Sequence, residues 1–319
     1  MDKITIKEED HGVRLDKYLS RLFPGISRAV IQKNIAEGQV LVDRQKTKPS
    51  YALKAGNVVV IEKIKPRLPD TAQPQRGELD IVHEENDFLV VNKPRGLVVH
   101  PAHANPDHTL INYLLMLRPG IAEAVYDPDK QISRLRPGVV HRLDKDTTGL
   151  IIIAKNKIAL AKLSGLIQRR KINKTYLALV SGWPDKEGSV KTFLRRSSAD
   201  RRKMSTHNFL GKESETAYKV IKYFEHRKLR LALVEAHPIT GRTHQIRVHL
   251  ASIGFPIIGD LIYGNQISIK HSDNLKVKGQ LLHAGRLQFR YKGTDYDFFA
   301  PLPQDFIQII SKFKEINEQ

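Results

Sequence analysis

The sequence predicts an α+β fold built on one large mixed sheet, and three observations carry that expectation. Short runs rich in β-branched residues, bounded by glycine or polar residues, recur at 88–92, 150–154, 174–180, 216–224, 229–236 and 281–289. Long amphipathic helices are few. A turn of mixed charge, His141-Arg-Leu-Asp-Lys-Asp-Thr-Thr-Gly149, lies between two apolar runs, Val139-Val140 and Leu150 to Ala154, that read as buried strands.

At 319 residues the chain has room for two domains and a sizeable core. Its 53 Lys and Arg against 34 Asp and Glu leave a net charge of +19. An excess of that size points to a polyanionic partner, nucleic acid first and an anionic membrane surface as the competitor. No apolar run approaches the ~20 residues that span a bilayer, and no N-terminal apolar stretch resembles a signal peptide. The absence of cysteine excludes disulfides and thiolate metal ligands. The expectation is a soluble, basic, cytoplasmic protein that does not bind membranes, with a monomer as the default state.

Residues 1–64 read as a self-contained unit. Leu15, Leu19 and Leu22 fall at i, i+4 and i+7 and predict a helix that Pro24-Gly25 breaks. Ser27 is placed to cap a second helix that carries Val30, Ile31 and Ile35 and closes at Gly38. Strands are expected at 40–42 and 58–61. Arg14-Leu-Asp with Leu19, then Ser27-Arg28, Ile35, Gly38, Val40 and Val42, resembles the S4 RNA-binding domain. That resemblance implies that the second helix and the turn after it contact RNA phosphates, with Ser27, Arg28 and Lys33 as the candidates. Taken singly, Arg28 and Lys33 read as ordinary solvated cations.

Residues 65–79, with Pro66, Pro69 and Pro74, read as a linker, and a second domain is expected over 80–319. Its expected order opens with a strand at 88–92, a helix at 110–117 and the strand 150–154 after the charged turn. Asn156 then caps a helix carrying Leu160, Leu163 and Ile167. A strand at 174–180 places Tyr176, Ala178 and Val180 on one face. Residues 194–204 are too charged to be buried and form a basic loop or hairpin. After two more strands, the spacing of Ile246, Leu250 and Ile253 predicts a helix whose first turn is the polar stretch from Thr240. A strand near 281–289 and a helix carrying Phe306, Ile309, Ile310 and Phe313 end the chain.

The charged turn is the place to look for chemistry. A metal site would need several ligands, and Asp144, Asp146 and His141 supply three, with His100, His103 and His108 in another loop. Arg142 and Lys145 interleave with the aspartates, and the histidine spacings match no familiar zinc pattern, so no metal is expected. Phosphate-cradling, dinucleotide-binding and serine-nucleophile glycine motifs are all missing. What remains is a carboxylate beside an arginine, which favours the charged form and fixes its orientation. Arg242 and Arg247 are the distant candidates, and spacing alone pairs neither of them.

His141-Arg-Leu-Asp-Lys-Asp-Thr-Thr-Gly-Leu150 resembles the signature of the RluA family of pseudouridine synthases. Asn92-Lys-Pro-Arg-Gly-Leu-Val-Val-His-Pro101, Lys174-Thr-Tyr-Leu-Ala178, Gly241-Arg-Thr-His-Gln-Ile-Arg-Val-His249 and Leu282-His-Ala284 follow in that family's order. Within it the chain is most similar to the RluD type, although Ala104-Asn-Pro-Asp107 lacks the glycine expected in one loop. The resemblance implies isomerisation of uridine to pseudouridine in large-subunit (23S) ribosomal RNA, free or within a pre-ribosomal or ribosomal particle, without a cofactor. It implies that Asp144 is the catalytic aspartate and Arg247 the arginine paired with it. Tyr176 is then the tyrosine that packs on the base and helps to remove the C5 proton. His141 and Arg142 are expected to shape the loop or touch the flipped nucleotide, Arg242 to bind RNA, and Arg195, Arg201, Arg202 and Lys203 to lie on a loop that grips RNA. Asp146 is expected to be a turn residue. Rival readings are a core role for Tyr176, a non-catalytic S4-type ribosome-assembly protein, a sibling enzyme with another rRNA or tRNA target, and a metal-dependent phosphodiesterase on the two aspartates.

Overall fold

The computed structural model describes residues 2–23, 28–61, 71–102, 105–125, 134–226 and 229–316. They form two compact units, the first comprising the described residues up to 61 together with 102, 105 and 106, and the second the remaining described residues from 71 onward.

In the first unit β1 (Asp2–Thr5) precedes α1 (Leu15–Leu22) and α2 (Arg28–Ala36), followed by β2 (Val40–Val42), β3 (Gln45–Lys46) and β4 (Val58–Ile61). The sheet is antiparallel in the order β1-β4-β2-β3. The leucine stripe of α1 and Ile31 and Ile35 of α2 close on Val40, Val42 and Val59 to make one core. Asp16 is fully buried there and accepts from Arg14 at 3.1 Å, Arg28 at 2.8 Å and Gln32 at 2.6 Å. Burial opposes its charge, but these hydrogen bonds win and hold the carboxyl well below its usual range. The expected cap residue Ser27 lies outside the described residues.

The second unit begins with β5 (Asp80–Glu84), β6 (Phe88–Lys93), α3 (Leu110–Leu117) and α4 (Gly120–Ala124). After the charged turn come β7 (Thr148–Ala154), α5 (Lys157–Gln168) and β8 (Ile172–Ser181), then β9 (Glu187–Arg196), β10 (Met204–His207), β11 (Lys212–His226) and β12 (Leu229–Pro238). α6 (Gln245–Ser252), α7 (Gln266–Asn274), β13 (Leu282–Tyr291), β14 (Thr294–Phe299), α8 (Gln304–Ile310) and β15 (Lys314–Ile316) complete it. Among the described residues eleven strands form one sheet in the order β10-β9-β11-β12-β8-β13-β7-β6-β5, with β14 on β13 and β15 on β11. Every pairing is antiparallel except β13 with β7.

β7 is buried on both faces, and its alternation feeds two cores. Ile151 and Ile153 join the layer containing Leu110, Ile111 and Leu114 of α3, while Leu150 and Ile152 join the layer containing Ala159 and Leu163 of α5. Gly149 has φ +104°, and a side chain there would strike the main chain of Ala284, so only glycine lets β7 and β13 meet at the foot of the turn.

Three expectations are corrected. Val139-Val140 is not a buried strand: both are half-buried, and Val139 makes a single bridge to Ile153, because β6 takes one edge of β7 and β13 the foot of the other. Residues 240–244 precede α6 rather than forming its first turn, since Gln245 turns back to bond Thr240 Oγ1 at 2.6 Å and the Arg242 N–H at 3.0 Å. The linker composition also misleads from residue 72 onward, where extended chain docks on the second unit. The Ala72 N–H donates to the Arg134 carbonyl at 2.9 Å and Asn112 Nδ2 to the Gln73 carbonyl at 2.7 Å. Among the described residues no helix is long and apolar enough to cross a membrane.

Candidate active site

The turn before β7, the middle of β8 and the start of α6 converge on one cleft of about 240 Å3, with Arg142, Asp144, Tyr176, Arg242, His244 and Arg247 in its lining. Arg247 is buried and uses both edges of its guanidinium. Nε and Nη2 donate to the two oxygens of Asp260 at 2.7 and 2.8 Å, and Nη1 donates to Asp144 Oδ2 at 2.9 Å. Asp260 is fixed in turn by the N–H groups of Ile262 and Tyr263 at 3.0 and 3.1 Å. Burial alone would lower the Arg247 pKa, but the hydrogen bonds and charge of Asp260, and then Asp144, raise it above its ordinary value. The result is a fixed cation that aims one N–H at Asp144.

α6 buries Ile246 and Leu250 in the core and is held by polar groups as well. Its N-cap, His244, has φ +57°, and its Nδ1 lies 2.8 Å from Tyr263 Oη, which accepts from the Met204 N–H at 2.7 Å. The other ring nitrogen lies 3.7 Å from Asp144 Oδ1. His249 is fully buried, with Nδ1 2.9 Å from Thr216 Oγ1 and Nε2 3.0 Å from Ser214 Oγ and 3.1 Å from Thr192 Oγ1. Burial pulls its pKa from 6.5 down to about 4. An unfolded chain therefore takes up a proton as pH falls below 6.5, while the native chain takes it up only near pH 4. The stabilisation from this neutral histidine is complete above 6.5 and is lost as pH falls to 4, a difference of about 3 kcal/mol. The thermal midpoint should fall over that window, and His249→Gln should make the fall shallower in a pH series of calorimetric scans.

The turn carrying Asp144 is clamped from behind. The Thr147 N–H donates to the Asp144 carbonyl at 3.1 Å, and Gln280 Nε2 donates to Thr147 Oγ1 at 3.1 Å. Arg95 Nη1 donates to the Asp146 carbonyl at 2.8 Å. Lys93, fully buried at the end of β6, donates to the carbonyls of Pro94, Leu97 and Lys145 at 2.9, 2.8 and 2.9 Å. Burial pulls its pKa down to about 7 against the charges of Asp146 and Asp144, yet three carbonyl acceptors match the three donors of the ammonium form. Lys93→Met should leave those carbonyls unsatisfied and destabilise the chain by about 2–4 kcal/mol, which urea unfolding would measure. A variant as stable as the parent would remove this role. The two aspartates of the turn differ: Asp144 lines the cleft, while the Asp146 side chain packs against Gly279, where φ is +83° and no Cβ fits.

Tyr176 is buried in the wall of the cleft, and burial, then the Asp144 charge, pushes its phenol above its ordinary value, so it carries its proton. His141 also lines the cleft, but its Nε2 accepts the Ile152 N–H at 3.1 Å, and burial and then Lys174 push it down to about 3. It is a neutral brace for β7. Arg142 and Arg242 are exposed at the cleft, with Arg242 Nε donating to the Glu213 carbonyl at 3.2 Å. Arg195 sits on β9 and Arg201, Arg202 and Lys203 on its turn into β10, so this basic stretch is a hairpin, and none of the four lines the cleft. Arg28 is engaged by Asp16, and Lys33 lies 3.7 Å from Glu37. Asp260, Tyr263, His244, Lys93 and Arg95 were given no role from the sequence, although Gly259-Asp-Leu-Ile-Tyr-Gly264 brackets two of them between glycines. Among the described residues no three His, Asp or Glu side chains are grouped so as to hold a metal ion.

Comparison with known proteins accords with this geometry. The model of the RNA pseudouridylate synthase family matches residues 87–252, and that of the S4 domain matches residues 13–59. The chain is 38% identical to ribosomal large subunit pseudouridine synthase D of Yersinia pestis, across 99% of this chain and 95% of that one. It is 37% identical to YlyB of Bacillus subtilis, an uncharacterized RNA pseudouridine synthase, across 98% of each chain. Among solved structures it is similar to human RNA pseudouridylate synthase domain containing 1, with a TM-score of 0.59 and 26% identity, covering 76% of this chain and 91% of that one.

Proposed function

The chain belongs to the RNA pseudouridylate synthase family, and we propose that it isomerises particular uridines of large-subunit (23S) ribosomal RNA to pseudouridine, with Asp144 as the reacting carboxylate. The observation that carries the residue assignment is the chain of contacts from Asp260 through Arg247 to Asp144 at the cleft. A buried guanidinium already satisfied by one carboxylate has no structural need of a second, and here the second faces the open cleft beside Tyr176.

The reaction breaks the N1–C1′ bond, turns the uracil and joins C5 to C1′. C5 loses a proton and N1 gains one, so composition is unchanged and no cofactor is required. Asp144 acts at the sugar, either by attacking C1′ or by taking the 2′ proton on the way to a glycal. Arg247 sets the direction in which the carboxylate faces. The uridine has to leave its stack, which costs a few kcal/mol, and Tyr176 offers the base a face. Its phenol remains protonated, so it does not act as a standing phenolate base.

Arg142 and Arg242 meet RNA at the mouth of the cleft. Arg195, Arg201, Arg202 and Lys203 of the basic hairpin and Ser27, Arg28 and Lys33 of the S4 domain add phosphate contacts, and the substrate is rRNA in the cytoplasm, free or in a ribosomal particle. The phosphodiesterase reading would require Asp144 and Asp146 at one point, but Asp146 packs on Gly279 away from the cleft.

Carbodiimide treatment and primer extension across rRNA, with and without this protein, tests the proposal. Stops should vanish at specific uridines in its absence, return with the parent chain, and stay absent with Asp144→Asn. An unchanged profile would reject the reading.

A further inference from the structure

A second cleft, of about 620 Å3, adjoins the one that holds Asp144. The two share Ile167, Lys174, Pro238, Thr240, Gly241 and Arg242 as a common wall. The second cleft also draws on Arg170, Asn173 and Gln288, and no acidic side chain is in its lining. Lys174 lies two residues before Tyr176 on β8, so both side chains leave the same face of the strand. Among the described residues the Lys174 ammonium has no hydrogen-bond or ion-pair partner, and burial depresses its pKa with no carboxylate close enough to oppose it. A partly buried cation without a counter-charge is costly unless a ligand supplies one. Across the seam the Arg242 Nε is tied to the Glu213 carbonyl, which leaves the terminal nitrogens of the guanidinium for a ligand.

We propose that Lys174 and Arg242 form a phosphodiester seat, holding the backbone phosphate that links the uridine in the first cleft to its neighbour in the second. The inference rests on the reading of the first cleft as a uridine site. Successive nucleotides are joined by one anionic diester, so a strand laid through two adjoining clefts places that diester on their shared wall. Two cations and no acid await it there. The arginine can supply two N–H groups to the phosphate and the lysine a point charge. The seat fixes the ribose of the target from outside the reacting atoms, and Lys174 and Arg242 bind substrate rather than take part in the bond changes.

The test uses the full-length protein and an rRNA fragment whose modified uridine has been mapped. Three forms of the fragment are compared: the natural one, one with a neutral methylphosphonate 5′ to that uridine, and one with it 3′. Lys174→Gln should raise KM on natural RNA about ten- to hundredfold, with kcat changed much less. The slope of log affinity against log salt should fall by about 0.7. Lys174→Arg should recover part of the loss. On one of the two methylphosphonate RNAs the parent chain should lose affinity to a similar degree, and Lys174→Gln should lose nothing further on it. Arg242→Gln should behave in the same way on the same RNA. If the losses multiply on both modified RNAs, or if Lys174→Gln lowers kcat with KM unchanged, the seat does not exist. Lys174→Gln should also keep its thermal midpoint, and a large drop would make the lysine a structural residue. If the parent chain made no pseudouridine in the natural fragment, the uridine-site reading itself would fall, so the two failures are distinguishable.

Discussion

Asp144→Asn should lower turnover at least ~10⁴-fold, the scale on which loss of a reacting side chain falls, while rRNA binding stays within a few fold. Asparagine keeps the shape of aspartate and an oxygen that can still accept from Arg247 Nη1, so the cleft should persist. What disappears is the charged oxygen that attacks C1′ or takes a proton. Arg247 does not become an unpaired buried cation, because Asp260 holds two of its nitrogens. The fold should therefore survive the substitution, and the loss should be confined to kcat. Release of tritium from C5-labelled uridine in rRNA measures it directly, since the C5 hydrogen leaves only when the new bond has formed. Asp146→Asn is the control within the same turn: its side chain packs on Gly279 outside the cleft, and turnover should stay within about tenfold. Normal turnover in Asp144→Asn, or equal losses in both variants, would overturn the assignment.

The contrast between those two aspartates shows how far the sequence carries. Both are equivalent by composition, and their neighbours Arg142 and Lys145 do not separate them. Their roles diverge because the turn hydrogen bond from Thr147 to the Asp144 carbonyl, with Lys93 and Arg95 on the next two carbonyls, rotates one side chain into the cleft and the other onto Gly279. Long-range partners of that kind leave no periodic trace. The partnership of Asp144 with Arg247, 103 residues apart, came from family resemblance and not from spacing.

Elements whose stability resides in their own apolar pattern were legible. β7 reads as an apolar run, and α5 announces itself by Asn156, whose Oδ1 accepts the Ala159 N–H at 2.8 Å. Elements that depend on neighbours were not. α7 is capped by Asn265 but buries only Ser268 and Ser272, and β14 alternates acidic and aromatic residues along the edge that β13 offers, with Tyr296 and Phe298 laid against the core. α6 has an apolar spacing that predicted a helix, yet its placement depends on Gln245, Arg247 and His249, three buried polar residues whose partners lie on other elements.

Asp260 is the clearest case of a residue whose importance exists only in three dimensions, and its replacement should have the second-largest effect. Asp260→Ala removes both hydrogen bonds that satisfy the buried edge of Arg247 and the two accepted from the Ile262 and Tyr263 N–H groups. Breaking a buried ion pair on one side destabilises by about 3–5 kcal/mol, and for a unit of this size that should lower the thermal midpoint by roughly 10 °C. Freed of Asp260, the guanidinium would swing to share both its edges with Asp144 and turn that carboxylate from the sugar. A displacement of about 1 Å is enough for a hundredfold loss, so kcat should fall by about that factor while KM stays close to the parent value, because Asp260 never meets the RNA. Arg247→Lys tests the same geometry from the other side, since an ammonium keeps the charge but cannot span two carboxylates in one plane. It too should lose kcat rather than affinity. Asp260→Asn, which keeps the shape and one acceptor, should fall between the parent and Asp260→Ala in both midpoint and kcat. A series in which the midpoint drops and kcat does not would reduce the clamp to a brace for the fold, and would leave Asp144 oriented by its own turn alone.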